Sequence, residues 1–345
     1  MAKPVKIIPA SRRRRKRRWK WPRRLGAGAV LLALGVLLIL EPGAQETKLL
    51  ERPQAAVEET LPSAQEQVAV YDHQSGQIMT LGLEDYLVGV VAAEMPASFE
   101  LEALKAQAVA ARTFACSRLW SEAAASDAPY RLTTDPATCQ AWISDSEMQD
   151  RWGGQYAANR AKIVQAVAQT QGEILTYQGK VIEPVYHASC GGGRTESARD
   201  VWGSDRPYLV SVVCDHPPDK HTQLKTTLSL AEVDQKLGSD AAVVSAASGE
   251  QTSPLAILAS SASDRVLKMR VGTKQYSGTE VRKALGLESS LIRIDQAGDE
   301  VTFTTNGYGH GVGMCQYGAD HYAQLGWDYQ AILKHYYTGV SLNRL

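Results

Sequence analysis

Apolar and polar positions divide this 345-residue chain into a greasy segment, a polar spacer and a long mixed region. Leu25 to Leu40 runs sixteen residues without a charge. As a helix at ~1.5 Å per residue it would span about 24 Å, short of the ~30 Å hydrocarbon core by a gap that snorkelling arginines, Trp19 and Trp21 can close. The pattern predicts a transmembrane signal-anchor over 25–41. Residues 42–67, rich in Glu, Gln, Ala and Pro and free of aromatics, read as a flexible linker. Beyond it, Val68 to Tyr71 and Gln77 to Leu81 alternate like a hairpin turning at Ser75-Gly76, and Leu83 to Ala93 is apolar enough to be buried. Ser98 is placed to cap a helix whose positive end suits Glu100 and Glu102, with Leu101, Leu104, Ala108, Ala111 and Ala115 facing a core. A second helix is predicted from Asn159 to Gly172, with Ile163, Val164, Val167 and Ala168 inward. Glu173 to Tyr177 and Val181 to Ala188 pair across Gln178-Gly179. From Lys220 to Glu300, a helix-like Leu228 to Leu237 mixes with strands near Val266 to Val271 and Leu291 to Ile294, giving a variable second lobe over 221–300. The class is α+β: one N-terminal membrane helix, a spacer, and a large two-lobed mixed domain over 68–345 with a ligand groove.

Charge adds topology. Residues 1–24 hold 12 Lys and Arg and no acid, so this basic tail stays in the cytoplasm and the remainder lies outside. A cleaved signal peptide is the alternative, since Pro42-Gly43-Ala44 offers small residues, but the basic region is long and the cleavage pattern poor. Setting those 12 aside leaves 25 Lys and Arg against 37 Asp and Glu, so the outer part is near −12 under a net charge of zero for the whole. Such an ectodomain suits no nucleic acid and does not argue for tight capture of a polyanion.

Glu94 is the foremost candidate for chemistry. It follows Val90, Val91, Ala92 and Ala93, which would desolvate its carboxyl and keep part of the population protonated at neutral pH, as an acid catalyst requires. Lys105 and Arg112, seven apart on the following helix, would point toward the same groove or lie on a solvated face. Ser189 to Arg194 is a glycine-rich turn that lets backbone approach a ligand, but no Lys and Ser or Thr pair follows in phosphate-loop register. GYGHGVGMCQYGA, Gly307 to Ala319, packs five glycines into thirteen residues. It must bend tightly before a helix over Gln316 to Ala323, presenting His310, Gln316 and Tyr317 in a confined space.

Three ordered blocks resemble one family, the stage II sporulation protein D family. They are VVAAEMPASFELEALKAQAVAARTFA (Val90 to Ala115), YHASCGGGRTESARDVWGSDRPYLVSV (Tyr186 to Val212) and NGYGHGVGMCQYGADHYAQLGWDYQAILKHYYTGV (Asn306 to Val340). The resemblance implies a membrane-anchored lytic transglycosylase that cuts peptide-stripped peptidoglycan strands during engulfment of the forespore, at the bond between N-acetylmuramic acid and N-acetylglucosamine. Glu94 would be its single catalytic residue. Arg112, Ser189, Gly192, Arg194, Thr195, His310, Gln316 and Tyr317 would line the sugar groove. The implied partners are stage II sporulation proteins P, an amidase, and M, a membrane protein. A hydrolase would need a second carboxylate, for which Asp85, Asp200 and Asp205 are available. Relatives of this domain also include factors that enhance a cell-wall amidase, so a non-catalytic binding module is the alternative function.

Five cysteines, Cys116, Cys139, Cys190, Cys214 and Cys315, fall in the outer domain, where disulfides are permitted. Some family members carry a zinc cluster of two His and two Cys in the stretch that here reads DAPYRLTTDPATCQAW; only Cys139 remains, so that site looks lost and no cofactor is expected. Cys116 with Cys139, and Cys190 with Cys214, are candidate disulfides of ~3 kcal/mol each. His187, Cys190, Cys214 and His216 form a rival set with the chemical types for zinc, at no standard spacing. Cys315 beside His310 raises a cysteine nucleophile, though without an orienting third group.

Overall fold

The computed structural model describes residues 66–121, 128–248 and 253–345. The basic tail, the anchor over 25–41 and nearly all of the spacer lie outside them. No described helix is long and apolar enough to cross a membrane. The described residues form a mixed α and β structure within one compact unit, Glu59–Leu345.

The opening hairpin forms as predicted. Strands β1 (Gln67–Tyr71) and β2 (Ile78–Gly82) pair antiparallel, and β3 (Leu132–Thr133) joins β1 in parallel. Asp72 organises the turn by accepting from the backbone N–H of Gln74 and Ser75. Helix α1 (Leu83–Glu94) follows directly and buries Leu83, Tyr86, Leu87, Val90 and Val91, a stripe with helical period.

Helix α2 (Leu101–Leu119) is the axis of the main core. Its alanines keep it thin, so α1, the helices Tyr156–Gln169, Gln316–Gln324 and Tyr329–Tyr336, and the strand Glu173–Tyr177 all pack on it. Each large aliphatic side chain in this core contributes about 1.5–3 kcal/mol by leaving water. Ser98 does not cap the helix. Glu100 holds the cap position with no side-chain bond of its own, and its N–H is satisfied from across the core by Asp320 Oδ1 at 2.7 Å. The second predicted helix starts earlier than Asn159, at Tyr156, and turns Ala166 inward where Ala168 was expected.

Glu173–Tyr177 turns through Gln178 and Gly179, at φ +51° and +77°, into Lys180–Val181. The predicted strand to Ala188 is broken there, and only Tyr186–His187 resumes, pairing in parallel with Met314–Cys315. Separate apolar contacts gather between residues 230 and 303, where Leu230, Val233, Met269, Val271, Val281 and Phe303 pack between two three-stranded sheets and short helices. Two of those helices start with Ser-to-Glu capping boxes, Ser229 with Glu232 and Ser277 with Glu280.

Candidate active site

Glu94 is the last residue of α1, where the chain leaves the helix for Met95-Pro96. Its surface stays partly accessible because it faces a cavity, but protein surrounds most of the carboxyl group. Burial raises its pKa to about 7, against the opposing effect of a hydrogen bond from the Ala141 N–H at 2.7 Å. The negative end of the α1 dipole acts in the same direction as burial.

That N–H is delivered by a loop seated on α1. Ile143 N–H donates to the carbonyl of Gly89 at 3.3 Å, and the Trp142 indole covers Gly89, where a Cβ would lie 2.1 Å from Nε1. Next to it, Gln140 accepts from the Tyr186 hydroxyl at 2.7 Å, so the loop is tied to the opposite wall as well.

Two cavities meet at Glu94. One, of about 390 Å³, runs past Phe114, Cys139, Gln140, Tyr186, His187, Tyr308 and His310. The other, of about 300 Å³, is bounded by Arg151, Trp152, Lys220, His221 and Tyr317. Ala93, Glu94, Ala188 and Gln316 border both, and among the described residues Glu94 is the only carboxylate on either lining. Asp85, Asp200 and Asp205, the second carboxylates that a hydrolase would need, border neither.

The glycine-rich segment Gly307 to Ala319 folds as a tight wall. At Gly309, φ +105°, a Cβ would lie 2.9 Å from His187 Cβ, and at Gly313, φ +72°, a Cβ would lie 2.0 Å from the Val185 carbonyl oxygen. His310 lines the larger cavity. Its Nδ1 accepts from Val312 N–H at 3.1 Å, and burial, with the charges of His187, Arg282 and Arg265, pushes its pKa down to about 3. It is a neutral ring, suited to shaping the site and not to carrying charge. Gln316 is buried and donates to Gln107 at 3.2 Å, whereas Tyr317 stands in the smaller cavity with its ring edge-on to Phe99. Tyr308 and Trp202 expose 45% of their surface each, and Trp202 lies 5.2 Å from the His310 ring.

The other residues expected in the groove lie elsewhere. Arg112 is fully buried and turned away: it holds the Glu84 carboxylate with two bonds of 2.8 and 2.6 Å and reaches the carbonyls of Glu173 and Val167. Lys105 pairs with Glu102 at 2.6 Å. Ser189 donates to Asp219 and Thr195 accepts from Val212 N–H, both buried; Arg194 bonds Ser211. Gly192, at φ +79°, runs close to the His216 carbonyl. These four build the turn behind the cavity wall and border neither cavity. Pattern reading missed Gln140, Tyr186, Lys220 and His221, which come from loops and a strand start without periodic signal, and Arg151, in the last turn of the short helix Asp145–Trp152.

The cysteine pairings are also corrected, for all five thiols are free. Cys116 is buried on α2 while Cys139 lines the larger cavity, and among the described residues no set of ligand atoms gathers around Cys139. Cys315 is buried, its thiol pushed far up, which leaves no nucleophile.

The family model for stage II sporulation protein matches residues 71–177, which carry Glu94, α2 and the Ala141 loop. Stage II sporulation protein D of Bacillus amyloliquefaciens is 38% identical over 310 residues, covering 90% of this chain and 88% of that protein. Its counterpart in Bacillus subtilis (strain 168) is 36% identical over 330 residues, covering 91% and 93%. The chain belongs to the stage II sporulation protein D family. Within that family assignment, residues 215–313 match a domain of unknown function, and that stretch holds the second apolar cluster. The amidase enhancer of Bacillus subtilis (strain 168) is also similar, at 31% over 306 residues, 74% of this chain and 40% of that protein.

Proposed function

We propose that this sporulation protein is a peptidoglycan lytic transglycosylase with Glu94 as its one catalytic residue. The observation that carries the reading is a lone carboxyl, half protonated near neutral pH, at the junction of two cavities. A strand threaded through both would set one glycosidic bond beside Glu94. The protonated acid gives its proton to the bridging oxygen between N-acetylmuramic acid and N-acetylglucosamine. The C1–O bond breaks, and the new carboxylate takes the proton of the muramyl 6-hydroxyl as that oxygen closes on C1. The products are a 1,6-anhydromuramyl end and a free 4-hydroxyl; no water and no second carboxylate enter, in keeping with the linings.

Removal of the stem peptide uncovers the muramyl lactyl carboxylate. Lys220 and Arg151, the cations of the smaller cavity, suit that anion, which favours stripped strands over intact ones. Tyr308 and Trp202 offer exposed ring faces to sugars. By the family's implication, the stage II amidase P would supply such strands, M would be a membrane partner, and the anchor over 25–41 would hold the domain outside the cell membrane.

The test is mass spectrometry of amidase-treated strands incubated with the chain and with Glu94→Gln. Anhydromuramyl ends that fall by about 10²-fold or more in the variant support the reading. Reducing ends would mean hydrolysis. Product release unchanged in the variant, or absent from both while a partner amidase is stimulated, would move the assignment to an amidase-enhancing module.

A further inference from the structure

Behind the cavity wall, three cysteines and a histidine converge from three separated segments. Cys190 lies in the glycine-rich turn, Cys214 ends the short strand Val213–Cys214 with His216 just beyond it, and Cys315 caps the helix Gln316–Gln324. All four are buried, and their ligand atoms lie within 4.8 Å of one another. We propose that Cys190, Cys214, His216 and Cys315 bind one structural zinc ion that staples the two glycine-rich segments of the cavity wall together.

The geometry fits a tetrahedral Cys3His site. With Zn–S near ~2.3 Å and Zn–N near ~2.0 Å, the tetrahedron edges are about 3.8 Å between sulfurs and about 3.5 Å from nitrogen to sulfur. His216 Nε2 lies 3.4 Å from Cys190 Sγ and 3.6 Å from Cys315 Sγ. Its other nitrogen, Nδ1, is 2.8 Å from the Pro217 carbonyl, which places the proton on Nδ1 and leaves the Nε2 lone pair toward the sulfurs. A disulfide would use two of the three sulfurs and leave the third with the imidazole unexplained.

Hydrogen-bond donors surround the sulfurs. Cys315 Sγ accepts the backbone N–H of Cys190 at 3.2 Å and of Gly318 at 3.3 Å, while the Tyr336 hydroxyl lies 3.1 Å from Cys214 Sγ. Gly318 keeps the space open, since a Cβ there would sit 2.5 Å from Cys214 Sγ. Three thiolates with Zn²⁺ carry a net charge of −1, and buried Arg265, which donates to the Cys190 carbonyl at 3.0 Å and also lies 3.8 Å from the buried Glu196 carboxylate, is the nearby cation. Four protein ligands in a closed site leave no position for water or substrate, so the ion's role is structural. His187, which pattern reading placed in the set, spends its Nδ1 on the Val312 carbonyl, and Cys315 takes its place.

The deciding experiment isolates the full chain under reducing conditions with zinc and measures metal content and zinc-edge X-ray absorption. One zinc per chain in a shell of three sulfurs and one nitrogen is expected, which needs no variant. Cobalt(II) in its place should give thiolate charge-transfer absorption and intense tetrahedral visible bands. Cys315→Ser and His216→Ala should lose the ion to a chelator that the wild type withstands, and Cys116→Ser should keep it. Sub-stoichiometric zinc, an oxygen-rich shell, equal loss in Cys116→Ser, or a Cys190–Cys214 disulfide in protein drawn from the native compartment would each overturn the proposal. None of these readouts involves glycan cleavage, so the zinc site and the transglycosylase stand or fall separately.

Discussion

Ala141 and Glu94 are joined by one hydrogen bond, backbone N–H to Oε1 at 2.7 Å, and among the described residues no group bonds Oε2. A carboxylate held by several such donors would stay ionised well into acid; one donor is too little to offset burial, and the pKa rises to about 7. The bond orients the group, and on the proposed function Oε2 would meet the glycosidic oxygen.

The pH dependence follows with a definite sign. Cleavage needs Glu94 protonated, so kcat/KM should fall as pH rises through about 7, a basic limb that Glu94→Gln cannot show. Stability moves the same way. A carboxyl near 4.5 in the unfolded chain and about 7 in the folded one binds more protons when folded, so its stabilising contribution is full below 4.5 and is lost as pH climbs to 7. The loss is about 3 kcal/mol at most. Thermal unfolding at pH 8 should therefore find Glu94→Gln more stable than wild type, with the gap closing toward pH 4. No gap at pH 8 would show that the site does not disfavour the carboxylate.

The loop that carries Ala141 depends on Gly89. A side chain there would occupy the Trp142 indole, so Gly89→Val should lift the loop from α1 and remove the Glu94 hydrogen bond. Cleavage should drop by about 10-fold or more from lost orientation. If circular dichroism shows a folded Gly89→Val chain with wild-type turnover, the loop does not position the acid.

Why Glu94 was legible in the sequence, and its neighbours were not, is a matter of range. The apolar run before Glu94 is local, and so are the hairpin at Gly76 and the Leu83 to Ala93 burial; each was readable from a few adjacent residues. Ala141 acts through its backbone N–H across 47 residues, a contact that no side-chain pattern records. Arg112 looked like a groove residue because its helix points one face toward Glu94, but its acid partner is Glu84, 28 positions back. Of the rival set His187, Cys190, Cys214 and His216, the last three do lie together, and the fourth side chain beside them is Cys315, 125 positions from Cys190. The helix start failed for the same reason: Ser98 had the right chemistry, while the N–H of Glu100 was satisfied by Asp320.

Lys220 gives the smaller cavity a cation that can meet a lactyl carboxylate. Lys220→Gln should raise KM for peptide-free strands several-fold with kcat little changed, as expected for uniform ground-state and transition-state binding. The wild-type KM should also rise with salt, and the variant's should rise less. Equal KM values for the two chains at low ionic strength would remove Lys220 from substrate recognition.

Arg112 supplies the opposite test, a charged residue inside the family's most similar block whose role is the fold and not the sugar. Its guanidinium has no exposure and meets one carboxylate and two carbonyls, so truncating it leaves the Glu84 carboxylate without its cation and with only the longer Gly172 N–H contact at 3.4 Å. Breaking one side of such a buried pair costs about 3–5 kcal/mol. Arg112→Met alone should lower the urea midpoint steeply. Arg112→Met with Glu84→Gln should recover part of the loss, because the second change removes the stranded charge. KM for glycan in the fraction that remains folded should match wild type, since Arg112 borders neither cavity. A raised KM with an unchanged unfolding midpoint would place Arg112 in the groove after all.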